Sequence, residues 1–260
     1  MIRRPTQKQS PANSYHVKKE GNMKKLLVLT ATLALAQPAL AGNINIGNLS
    51  GVQADFRSVS EDLGSALSYK GLVPAESMGV IGFDLGLEVT QTDLAKSAAL
   101  WNTLTGSDIS KLYVPKLHVT KGLPLDIDIG AFFSAVPSTD IKLYGGELRW
   151  AFQPGSTTMP AVAVRGSLTK LTGVNQLALG TKGVDLSISK GFAMFTPYAG
   201  VGQVWTTSTP DASTGLSEES FSQSKLFVGA NLNFGLTNLA AEYDKTGEAK
   251  SVSLKLGFRF

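Results

Sequence analysis

The chain has 260 residues, 24 of them Lys or Arg and 20 Asp or Glu, with 27 glycines, 17% charged residues, no cysteine and a mean hydropathy of +0.06. The lack of cysteine excludes a disulfide framework and a thiolate metal site, so order has to come from backbone pairing and packing. The formal charge of +4 misleads: seven basic residues and only Glu20 precede Gly42, leaving 17 basic against 19 acidic residues, net −2, with no Lys/Arg block, which excludes nucleic-acid binding on charge grounds.

Met23-Lys24-Lys25, the apolar run Leu26 to Ala36 and Gln37-Pro38-Ala39-Leu40-Ala41 read as the three regions of a secretory signal peptide over residues 23–41, with cleavage expected after Ala41. Residues 1–22 then form an upstream extension outside the functional protein, with Met23 as the start; the rival is one long n-region from Met1. From residue 42 on, no segment approaches the roughly 18 apolar residues of a spanning helix.

The next segment, 42–77, has a helical period. Val52, Phe56, Val59, Leu63 and Leu67 recur at spacings of three or four between Ser50 and Tyr69, with Gln53, Arg57, Glu61 and Asp62 off the stripe, predicting an amphipathic helix capped near Lys70-Gly71. A weaker helical stretch runs from Asp93 to Leu104.

From residue 78 to 260 the period changes to two. Strands are predicted over 80–90, 112–120, 125–135, 141–152, 161–171, 177–190, 193–206, 225–234, 237–244 and 252–260, each near the 9 to 11 residues that a tilted strand needs to cross a bilayer. Ten strands are expected, with eight or twelve as alternatives. On the polar faces lie Glu88, Lys116, His118, Asp126, Asp128, Glu147, Arg149, Arg165, Asp185, Glu242, Lys255 and Arg259. Tyr113, Trp150, Phe195, Trp205, Tyr243 and Phe258 fall near strand ends, where interfacial girdles sit.

The last stretch places Val252, Leu254, Leu256, Phe258 and Phe260 on one face and Ser253, Lys255, Gly257 and Arg259 on the other. It resembles the C-terminal signal of Gram-negative outer-membrane β-barrels, in which a terminal Phe preceded by alternating apolar residues is what the assembly machinery reads. The run Asp62-Leu-Gly-Ser-Ala-Leu-Ser-Tyr-Lys70, leading into Gly82-Phe-Asp-Leu-Gly-Leu-Glu-Val89, is similar to a group of proteobacterial outer-membrane barrels. The resemblance implies an all-β, up-and-down antiparallel transmembrane barrel in the outer membrane, with membrane lipid and that machinery as partners; it implies no cargo, and the oligomeric state stays open.

In such a barrel strand parity sends the long connections Gln91 to Lys111 and Thr207 to Ser224 outside and the N-terminal helix to the periplasmic side. Three placements of that helix compete: a plug in the lumen, a helix on the inner leaflet, or a cap over the periplasmic mouth. The inward charges are expected to be mutually paired filling or the lining of a narrow polar pore, with Asp126 and Asp128 facing His118 across a hairpin if its loop has three residues. No cofactor or metal is expected. No catalysis is expected either: after residue 41 His118 is the sole histidine, and Glu218-Glu219, the acidic pair of the second long loop, has no histidine beside it. Two functions remain: a narrow channel or small-solute transporter plugged by the helix, and a non-conducting structural or surface-interaction barrel.

Overall fold

All ten period-two stretches fold as strands: β1 (Phe83–Asp93), β2 (Lys111–Leu123), β3 (Ile127–Ala135), β4 (Lys142–Gln153), β5 (Ala161–Val174), β6 (Leu177–Ser189), β7 (Phe195–Pro210), β8 (Glu219–Phe234), β9 (Thr237–Thr246) and β10 (Ala249–Arg259). The computed structural model describes residues 44–49, 52–137 and 139–260; the extension 1–22, the signal segment 23–41 and the cleavage point Ala41 lie outside the described residues. Each strand pairs antiparallel with its sequence neighbour, and β1 pairs with β10 from Asp84↔Arg259 to Thr92↔Ser251, closing an up-and-down barrel of ten strands. Closure leaves no sheet edge, which an apolar solvent requires.

Side chains sort by parity. On β10, Ala249, Ser251, Ser253 and Lys255 are buried in the interior, while Lys250, Val252, Leu254, Leu256 and Phe258 are exposed on the outer wall. Leu85, Leu87, Leu117, Ile129, Leu148, Leu168, Leu186, Val201 and Val228 continue that exposed apolar wall around the barrel. This inverts the soluble pattern, in which exposed apolar patches stay small.

Connections differ between the two rims. One rim, called here the loop rim, carries residues 94–110, 136–141, 175–176, 211–218 and 247–248; the turn rim carries 124–126, 154–160, 190–194 and 235–236. Strands β7 and β8 rise beyond their neighbours, so the connection expected over 207–224 shrinks to eight residues, 211–218. In the first long connection, a 3-10 turn (Ala98–Leu100) leads into α2 (Trp101–Thr105), shorter than the sequence suggests.

The N-terminal segment occupies the lumen. Helix α1 (Gln53–Leu67) packs against β1, β2, β6, β7, β8 and β10. Its start lies at the loop rim, where Gln53 Nε2 donates to the Ser217 carbonyl at 3.0 Å and Arg57 Nη1 to Glu219 Oε2 at 2.9 Å. Before it, a 3-10 turn (Ile46–Leu49) docks on the same rim, Asn45 N–H donating to the Leu104 carbonyl at 3.0 Å and Gly47 N–H to Gln176 Oε1 at 2.9 Å. The chain then descends, and Met78 N–H reaches Asp128 Oδ1 at 3.1 Å just before β1 begins at the turn rim.

Of the three competing placements this is the one in the lumen, and it corrects the expectation that the helix sits at the rim from which β1 departs. The physical reason is that the inward face is apolar near the loop rim: Leu112, Val114, Leu143, Leu171, Leu177 and Leu179 form one buried cluster with Phe56, Val59, Leu63 and Leu67 of α1 and Trp101 and Leu104 above. A helix outside would leave both apolar faces uncovered. The helix end is corrected too: α1 stops at Leu67 with Ser68 extended, and Lys70-Gly71 is not its cap.

Candidate functional site

Below the apolar storey the lumen is charged, and period-two alternation of short polar residues is what brings these side chains to one interior. Glu88, Lys116, His118, Asp128, Glu147, Arg149, Arg165, Asp185, Glu242 and Lys255 are all buried there, and Arg259 stands partly exposed at the turn rim. Asp126 does not join them. It lies in the turn 124–126 with φ of 57°, because the three-residue loop needs Leu125 and Asp126 both left-handed to reverse direction. Nor does Asp128 face His118. The register pairs Asp128 with Gly122 and His118 with Phe132, so Asp128 turns to Arg149 of β4 instead.

The charges form four groups. At the turn rim Asp84 stands 2.7 Å from Lys255 Nζ as an ion pair and accepts from Arg259 Nε at 2.8 Å and Asn238 Nδ2 at 2.6 Å. Next to it Arg149 donates Nη2 to Asp128 Oδ2 at 2.5 Å and Nη1 to the Pro74 carbonyl, clamping the descending chain. In the middle Arg165 donates Nε and Nη2 to Asp185 Oδ2 at 3.0 and 2.7 Å and reaches Glu147 Oε2 at 3.4 Å. Lys225 Nζ donates to the Tyr69 carbonyl at 2.9 Å and stands 3.4 Å from Asp185 Oδ2.

The fourth group is made by the segment itself. Lys70 Nζ donates to Asp244 Oδ1 at 2.7 Å, both side chains fully buried, and to the Ser65 carbonyl at 3.1 Å. Tyr69 Oη lies 2.6 Å from His118 Nε2, whose Nδ1 lies 2.6 Å from Glu88 Oε1. Gly71 has no room for a side chain, since a Cβ there would meet Arg165 Nη1 at 1.5 Å. The Tyr-His-Glu row has the hydrogen-bond order of a nucleophile, a base and an orienting acid. With Tyr69 at 2% and His118 and Glu88 at 1% exposure, no substrate reaches it, and the row acts as a tie between segment and wall.

At the loop rim a polar latch closes over α1. Asp62 Oδ2 accepts from Lys96 N–H at 2.9 Å and from Ser97 N–H and Oγ at 2.8 Å each, while Glu61 meets Lys96 Nζ and Arg57. Burial pushes the Glu61 carboxyl up, but hydrogen bonds from Lys96 and Arg57 outweigh it and hold Glu61 below its ordinary value.

Sequence reasoning missed Asp84, Lys225, Asp244, Tyr69 and Lys70 as site residues. Asp84 shares its parity with Glu88, and Asp244 with Glu242, so a stricter application of the period would have found both. Tyr69 and Lys70 lie beyond the helix and before any strand, where no period applies. No group of three or more His, Cys, Asp or Glu able to hold a metal ion occurs among the described residues.

A closed antiparallel barrel with an apolar exterior and a charged interior defines the class: a transmembrane β-barrel of ten strands. No protein-family profile and no curated protein matches the chain. Similar solved structures include the N-terminal β-barrel domain of Pseudomonas aeruginosa OprF, 11% identical over 68% of this chain and 97% of that one with a TM-score of 0.35. Neisserial surface protein A is 12% identical over 68% of this chain and 94% of that one at a TM-score of 0.30. The translocator domain of the autotransporter NalP from Neisseria meningitidis is 10% identical over 81% of this chain and 98% of that one at 0.34.

Proposed function

We propose that the protein is an integral outer-membrane barrel, its loop rim facing outward, whose own N-terminal segment closes the lumen so that the resting form does not conduct. The observation that carries this reading is the buried Lys70–Asp244 pair: a segment lysine and a wall carboxylate are both withdrawn from water, and neither is stable there without the other. The exposed apolar wall supports a membrane location, and the long connections on one rim support its orientation.

The closed barrel becomes a pore only if the segment leaves. The wall would then expose seven buried acids (Asp84, Glu88, Asp128, Glu147, Asp185, Glu242, Asp244) against five buried Lys or Arg (Lys116, Arg149, Arg165, Lys225, Lys255) and His118. That excess favours cations. Planar-bilayer recording on the chain from residue 42, with and without residues 42–75, tests the reading. The intact chain is expected to be silent, and the deleted one to give unitary steps with a cation-selective reversal potential. Equal steps from both would contradict closure by the segment, and silence from a deleted chain that folds as a heat-modifiable barrel would contradict a latent pore.

A further inference from the structure

We propose that the outer wall over β4–β8 holds a phosphate-bearing lipid headgroup of the external leaflet, with Lys170 and Lys182 taking the phosphate; this rests on the outward orientation of the loop rim proposed above. A groove of about 1010 Å³ opens on this part of the barrel. Its inward-facing neighbours Thr181 and Thr206 are 4% and 1% exposed, whereas Leu168 and Trp205 are 59% and 46% exposed, so the groove lies on the lipid side of the wall.

A concavity on a convex barrel needs missing side chains. Here Ala178 and Gly180 on β6 form the floor, with Leu168 on β5 and Trp205 on β7 to either side, and Gly146 beside Tyr144 on β4 extends the hollow beyond Leu168. Register fixes the cations over that floor. Lys170 pairs with Gly180, and Lys182 pairs with Leu168 and Trp205, which makes the two lysines diagonal neighbours across β5 and β6. Both lie a few residues below the short connection 175–176, at the loop end of the apolar wall that continues through Leu168, Val184 and Leu186.

Neither lysine forms an ion pair with an acid among the described residues, and no Asp or Glu faces outward along β4–β8. Glu218, beyond the end of β7, accepts a hydrogen bond from Thr209 Oγ1 at 2.8 Å. Two cations above an apolar belt, with Thr207, Ser220 and Ser222 as hydroxyl donors beside them, match a phosphate on a lipid whose acyl chains descend past Leu168 and Trp205.

The test is native mass spectrometry of the full exported chain, folded in neutral detergent and offered lipid A or lipid A with its phosphates removed. The intact protein is expected to retain the phosphorylated lipid selectively. The double variant Lys170→Glu, Lys182→Glu should lose at least about thirty-fold in retention, the typical contribution of two lysines at a membrane surface before the added negative charge is counted. Gly180→Leu, whose Cβ would meet nothing closer than the Thr169 carbonyl at 3.5 Å, fills the floor without disturbing the wall and should lose retention too.

A control that reverses Lys245 and Lys250, outward on β9 and β10, should retain lipid normally. Equal retention of the two lipids, an equal loss in the control, or displacement by millimolar inorganic phosphate would each overturn the lipid site. Heat-modifiable gel mobility and fractionation with the outer membrane are read on the same samples. Their failure would strike the membrane reading, whereas normal values without lipid selectivity would strike this inference alone.

Discussion

Lys70 is where the interior depends most on one residue. Its ammonium and the Asp244 carboxylate have no exposed surface, so removing one strands the other. Lys70→Met is expected to cost about 3–5 kcal/mol, the usual penalty for breaking a buried pair, read as a lower midpoint in the heat-modifiable gel shift. Asp244→Asn in the same background should recover part of that loss, because it removes the orphaned charge; no recovery would mean that the loss does not come from a stranded carboxylate. At the loop rim Glu61 contributes to the response to acid, beside Glu219 on the same Arg57. Its carboxyl titrates below the ordinary value of 4.5, so its share of stability is complete above that value and is lost as pH falls through the lowered one. Accordingly, openings of the intact barrel in a bilayer should appear only once the pH has fallen below the ordinary carboxyl value of 4.5, and Glu61→Gln should show them at neutral pH. Openings that begin near neutrality in the unaltered chain would point to another group.

Of the wall strands, β7 is the one against which α1 packs most extensively. A Cβ on Gly64 would meet Thr206 Oγ1 at 2.5 Å and Thr206 Cβ at 3.1 Å. Gly64→Ala gains about 1 kcal/mol of helix propensity but forces an overpacked contact costing about 1–3 kcal/mol, so a net loss of stability is expected from thermal unfolding. A stabilised variant would show that the helix stands off the wall.

What the sequence discloses also divides by element. Strands were legible because a wall with lipid on one side and a polar lumen on the other writes an unbroken period of two, as in Val252 to Phe260. The rise of β7 and β8 was not, since Ser, Thr and Gln beyond the membrane alternate no apolar face; Ser220, Ser222 and Ser224 are outward but polar. The position of α1 was hidden for a different reason. Its stripe shows that one face is buried, but the partner is assembled from Leu143, Leu171, Leu177 and Leu179 on three strands, and those inward leucines look like ordinary members of their segments. Asp126 failed because a positive φ at two adjacent non-glycine residues, Leu125 and Asp126, carries no compositional signal.

Taken as a whole, the molecule is a wall and a filling drawn from one chain. The filling enters at the loop rim near Ile44, makes an apolar core with the upper wall, ties itself through Tyr69 and Lys70 to the charged lower wall, and becomes β1 at the turn rim. The lack of cysteine makes this arrangement directly measurable. Ser60 of α1 and Ser208 of β7 are buried with their hydroxyl oxygens 2.9 Å apart. With Ser60→Cys and Ser208→Cys introduced together, mild oxidation of the membrane-embedded protein should form an intramolecular disulfide, abolish maleimide labelling and leave the bilayer silent. Two thiols that stay reduced and label freely would contradict a helix inside the barrel.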